Sequence, residues 1–210
     1  MTVRERVIRG QVTSEHIVQF FDTAESRAAC VAEFLADGIA CHEPTIIVAS
    51  GANWTATREQ LRLRRSPVDQ AIDRGMVVVT DATECLRRIS RNGVPDAAAF
   101  DRVVGETVRA LARRGTRVRA YGEMVDILAE RGEMQDAIAL EGFWNQLGER
   151  TSFYLLCGYS APHFVATAAH RAMRDICSAH SDVQRHEQDH LANWLLTSSH
   201  NAPRVVPLLH

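Results

Sequence analysis

The most chemically suggestive spacing in the chain is His186-Glu187-Gln188-Asp189-His190, a match to H-E-x-x-H. On a helix this spacing aims two imidazoles at one zinc ion and leaves the glutamate as general base, the arrangement of a metal-dependent hydrolase. The surroundings argue for less. The match lies near the C-terminal end of the 210 residues, no glycine and third histidine follow at metzincin spacing, and nine histidines make chance matches common. A solvated polar helix explains the segment more simply. A second candidate is the loop Ser50-Gly51-Ala52-Asn53-Trp54-Thr55, placed where a phosphate-binding loop would be sought. It lacks the G-x-x-x-x-G-K-[ST] spacing, and all 24 basic residues are arginine, so no lysine serves P-loop or Schiff-base chemistry. Trp54 then reads either as an aromatic wall facing a ligand or as a core residue at a helix start. Third, the carboxylates of Asp81 and Glu123 could bind a cation, polarise a water or accept a ligand donor. Aspartate in such a place is also a common helix N-cap, so Glu123, beside Gly122, is the better ligand contact.

These candidates gain meaning from the elements that carry them. Short β-rich runs alternate with longer stretches of helical period, which predicts βα units and a mainly parallel sheet of about five strands flanked by helices. The predicted strands are His16 to Phe21, Thr45 to Ala49, Met76 to Thr80, Arg117 to Tyr121 and Phe153 to Tyr159. Asp22, with Glu25 three residues on, is the expected N-cap of the first helix; Gly38 is its expected end, and Pro162 opens a last long helix. In an open parallel sheet, ligands bind outside the C-terminal ends of the strands. Ser50, Asn53, Trp54, Asp81, Glu123 and Tyr159 all lie there and form the predicted ligand-binding set, with Trp54 and Tyr159 as walls and Glu123 as polar contact. Residues 1–13 read as a tail, and 182–210 as a polar, His-rich peripheral helix and loosely held tail.

Composition narrows the partners. With 46% hydrophobic and 24% charged residues, a net charge of -2 and no membrane-length apolar run, the chain reads as a cytoplasmic globular domain without pull toward nucleic acid or membrane. The N-terminus lacks a signal-peptide apolar core. Cys30, Cys41, Cys85, Cys157 and Cys177 are odd in number and scattered, and read as packing thiols rather than metal or redox groups. Arg58, Arg62, Arg64 and Arg65 crowd one short helix, as a solvated face or a contact for an acidic partner or phosphate. No pattern requires a cofactor.

The wording at the strand ends is itself informative. His16-Ile17-Val18-Gln19-Phe20-Phe21, Val79-Thr80-Asp81-Ala82, Arg119-Ala120-Tyr121-Gly122-Glu123-Met124-Val125, Trp144-Asn145, Leu155-Leu156-Cys157-Gly158-Tyr159 and Ile176-Cys177-Ser178-Ala179-His180-Ser181 stand in an order that resembles the MEDS family, the methanogen/methylotroph DcmR-type sensory domain, over residues 14–181. The resemblance implies a RecA-like or KaiC-like core without a working Walker A motif, used by prokaryotic regulators to sense small molecules, including hydrocarbon derivatives. It carries no catalytic residues across. The expectation is a non-catalytic, ligand-binding sensory domain. Its partner would be a separate signalling protein, a kinase or a transcription regulator, since no room for either follows residue 181, and a homodimer is compatible with it. The rival is a metal-dependent hydrolase using His186, Glu187 and His190 or the pair Asp81 and Glu123.

Overall fold

A computed structural model describes residues 14–115 and 117–201; the N-terminal tail expected over 1–13 and the last nine residues lie outside it. Six parallel strands form one sheet: β1 (Glu15–Phe21), β2 (Thr45–Ala49), β3 (Val77–Asp81), β6 (Val118–Gly122), β7 (Phe153–Ser160) and β8 (Asp182–Gln184), in the order β3-β2-β6-β7-β1-β8. A separate hairpin pairs β4 (Ser90–Arg91) with β5 (Val94–Pro95). Its turn residues Asn92 and Gly93 both take positive φ, 52° and 86°, as a tight two-residue hairpin demands.

The inner strands are mostly buried along their whole length because helices cover both faces. Ile46, Val48, Ala120, Leu155, Cys157 and Tyr159 point to one side, into a core built with α4 (Ala82–Ile89), α6 (Met124–Glu130), α7 (Met134–Gly148), α8 (His170–Ala179) and α9 (His190–Asn201). The same core takes α5, which runs from Ala97–Phe100 through a π-helical turn at Asp101–Gly105 to Glu106–Ala112. Ile17, Phe21, Ile47, Ala49, Tyr121 and Leu156 point to the other side, against α1 (Ala24–Ala40), α2 (Gly51–Leu63) and α3 (Val68–Asp73).

Four local expectations change. Thr23, not Asp22, caps α1, its hydroxyl accepting from Ser26 N–H. The Asp22 carboxylate instead accepts from Leu191 and Ala192 N–H, at 2.7 and 2.8 Å, and so caps α9 from across the molecule. Pro162 opens a 3₁₀ turn, Ala161–Phe164, and the helix proper begins at His170. Residues 182–201 are not loosely held. β8 pairs with β1, with Val183 opposite Val18, and Ala192, Leu195 and Leu196 of α9 are buried in the core. The sheet therefore has one strand more than the apolar runs predict, because β8 is too short and too polar to register as one.

Candidate functional site

The sheet order places a switch point between β2 and β6. From β2 the chain moves outward to β3, and from β6 it moves the opposite way to β7, so α2 and α6 diverge onto opposite faces. Glu123 fills this fork, buried to 2% exposure. Its carboxylate accepts from Ser50 N–H at 3.1 Å, Asn53 Nδ2 at 2.8 Å and Tyr121 OH at 3.2 Å. Burial first, and then the Glu123 charge, push the Tyr121 phenol far above its ordinary range. A Cβ on Gly158 would stand 2.9 Å from the Tyr121 hydroxyl, so the bare backbone there lets that phenol reach Glu123.

A second polar group sits on the ends of β1 and β7. Arg27 Nη2 donates to Asp126 Oδ2 and to Ser160 Oγ, both at 2.7 Å, while Asp126 Oδ1 accepts from Ser160 N–H and lies 3.4 Å from His163 Nε2. Arg27 is 4% exposed and its Nη1 has no hydrogen-bond partner among the described residues. Burial would lower the Arg27 pKa and raise that of Asp126; their neighbours outweigh it, holding the guanidinium protonated and the carboxyl below its usual value.

Of the predicted ligand set, Ser50, Asn53 and Glu123 meet at this edge, and half-buried Trp54 lies in the first turn of α2 beside them, packed against the α1–α3 core. Asp81 caps α4, accepting from Glu84 N–H at 2.9 Å. Tyr159 lies on the other face of the sheet from Trp54, fully buried, so these aromatics do not share a wall. The H-E-x-x-H segment is a turn from which only His190 enters a helix, so the two imidazoles do not share one helix face. His186 instead lines a groove of about 250 Å³ with Cys30, Phe34, Arg119 and Tyr154. Arg58 and Arg62 both reach Asp69, tying α2 to α3.

A third cluster lies where no sequence motif pointed. Under α7, His16 Nε2 is 3.1 Å from Glu141 Oε2 and 3.2 Å from Cys157 Sγ. The Cys157 thiol reaches Glu141 Oε2 at 3.2 Å, and Tyr159 OH donates to Oε1 at 2.8 Å. His180 Nε2 lies 3.4 Å from Oε1, and its ring centroid lies 4.0 Å from that of His16 with the planes tilted by 49°. Burial alone would raise the Glu141 carboxyl; the two imidazoles outweigh it and hold the group below the usual carboxylate range. Burial, then Glu141, push the Cys157 thiol and the Tyr159 phenol well above their ordinary values. Cys157 is thus not the plain packing thiol expected of it, whereas buried Cys85 is one, its thiol pushed up to about 11 by burial.

A family model described as MEDS, the MEthanogen/methylotroph, DcmR Sensory domain, matches residues 15–181. The chain belongs to the MEDS family. Among curated proteins no relative matches. In this MEDS domain, His16, Cys157, Tyr159 and His180, from three stretches of the wording that resembles the family, converge on Glu141, and Asn145 from a fourth holds His16. The signal for Glu141 was present in the sequence: it continues the apolar stripe Ala137, Leu140, Trp144, Leu147 of α7, where a lone carboxylate demands partners. Among the described residues no helix is long and apolar enough to cross a membrane.

Proposed function

We propose that this MEDS domain is a non-catalytic sensor that binds a small, largely apolar molecule with one acceptor group at the C-terminal edge of the sheet and signals through a separate protein. The observation that carries the reading is Arg27 Nη1, a buried N–H without a hydrogen-bond partner among the described residues, at the strand ends where parallel sheets bind ligands. An acceptor on the ligand would satisfy it. The carboxylates nearby support binding over catalysis. Glu123 accepts three donors and Asp126 is engaged by Arg27 and Ser160, so most of the acceptor capacity of both carboxylates is committed to holding the strand ends in place. Ser50, Asn53 and Glu123 then fix the loop that presents Trp54, and Arg27 replaces Glu123 as the polar contact.

The test is fluorescence. In a Trp144→Phe, Trp194→Phe background, Trp54 is the sole remaining tryptophan of three. Small alcohols, carboxylates and other hydrocarbon derivatives are titrated, and a binder is expected to shift its emission. Arg27→Met should weaken that binder by tenfold or more, the loss of one charge-assisted hydrogen bond of about 1.5–3 kcal/mol. Trp54 silent to every molecule the protein binds, or binding unchanged in Arg27→Met, would refute the site.

A further inference from the structure

We propose that His16, Cys157, His180 and Glu141 form a buried binding site for a divalent transition-metal ion, with zinc the best fit, because one ligand atom from each lies within 4.8 Å of the other three. Tetrahedral zinc with bonds of about 2.0–2.3 Å spaces its ligand atoms about 3.3–3.8 Å apart. His16 Nε2 to Glu141 Oε2 at 3.1 Å, His16 Nε2 to Cys157 Sγ at 3.2 Å and Cys157 Sγ to Glu141 Oε2 at 3.2 Å are close to that spacing before any ion draws the groups together, and His180 Nε2 lies 3.4 Å from the other carboxylate oxygen, Oε1.

The surroundings of the histidines strengthen the inference. His16 Nδ1 faces Asn145 Oδ1 at 2.9 Å, and Asn145 Nδ2 donates to Ala179 O, which fixes the amide so that its oxygen accepts from His16. His180 Nδ1 faces the Ile176 carbonyl at 2.6 Å. Both rings therefore spend their Nδ1–H on carbonyl oxygens and turn Nε2 into the cluster, the tautomer and orientation that metal-bound imidazoles take. His180 Nε2 is buried with no partner at hydrogen-bonding geometry among the described residues. Asn145 serves both sides, because the carbonyl it holds belongs to the residue before His180.

Charge and chemistry select the ion. Thiolate and imidazole ligands favour zinc and its borderline neighbours over calcium or magnesium, which take oxygen. As the Sγ–metal bond forms, the Cys157 thiol proton leaves to solvent, and two neutral imidazoles, one thiolate, one carboxylate and a dication sum to zero. That neutrality suits a fully buried site. Four protein ligands leave no open position, so the ion's role is structural or regulatory, clamping α7 and the lead-in to β8 onto β1 and β7.

The experiment uses the full chain without a polyhistidine tag, refolded with zinc or with cobalt(II) so that the buried site can load. Mass-spectrometric metal analysis should find one zinc per chain, falling at least tenfold in Cys157→Ser and His180→Ala. The cobalt form should show a thiolate-to-metal charge-transfer band that Cys157→Ser removes and His186→Ala keeps. Asn145→Leu, which touches no ligand atom directly bound, should lower affinity by about 10–100-fold. It also keeps the inference falsifiable if the ligand variants fail to fold. Wild-type protein that loads no zinc and shows no cobalt–thiolate band, or metal lost in His186→Ala but retained in Cys157→Ser, would overturn the site.

Discussion

Adjacent residues of α9 make opposite predictions from size and from structure. Trp194 is the larger and more hydrophobic-looking side chain, yet it is 57% exposed, whereas Leu195 is fully buried beside Leu196 and Ala192. Removing a fully buried leucine down to alanine costs about 2–5 kcal/mol, because the lost transfer energy adds to the void left behind. In a domain of this size each kcal/mol moves the melting temperature by about 2–4 °C, so Leu195→Ala should lower it by roughly 4–20 °C. Trp194→Ala should stay within about 0.5 kcal/mol of wild type. Asp22→Ala, which uncaps the same helix from the end of β1, should cost about 0.5–2 kcal/mol. A chain ended after Ser181, where the family match stops, should lose cooperative folding, since it leaves the β1 edge unpaired and the α9 seat open. Thermal and urea unfolding followed by circular dichroism measure all four. A chain truncated at Ser181 that melts cooperatively at the wild-type midpoint, or equal losses from Leu195→Ala and Trp194→Ala, would refute the claim that residues 182–201 belong to the fold.

Two further outcomes follow from the strand-end network. Glu123→Gln should cost about 1–3 kcal/mol in the same assay, because an amide N–H₂ is put among three donors that all require an acceptor; a neutral result would show that the carboxylate does not hold the Ser50 loop. For His163 the hydrogen bond to Asp126 raises the imidazole above its ordinary value. A raised folded pKa contributes stability that is complete below the unfolded value of about 6.5 and disappears as pH rises through the folded one. The stability gap between wild type and His163→Asn should therefore be widest near about pH 5.5 and close toward about pH 9. A gap that is constant with pH would mean that the pair does not form.

Much of the scaffold was legible because buried parallel strands leave a clear trace: five short runs such as Thr45–Ala49 are rich in β-branched and apolar residues, and turn residues bound them. The same reading placed Ser50, Asn53 and Glu123 on one edge, since residues that follow parallel strands must emerge at the same end of the sheet. That this sequence holds no Walker A motif was legible from composition alone, since it has no lysine. What stayed hidden depended on strand order and facing. Tyr159 ends the predicted fifth strand and Trp54 follows the second, but alternation along β7 turns the Tyr159 ring to the opposite core. H-E-x-x-H carries its chemistry only on a helix, and Asp22, distant in sequence, starts that helix too late to include His186. The His16, Glu141, Cys157 and His180 cluster arises because β7 lies beside β1, with Leu155 opposite His16 and Cys157 therefore its diagonal neighbour, while α7 lowers Glu141 onto both. Periodicity reports which face of an element is buried; only the tertiary structure decides which other face it meets.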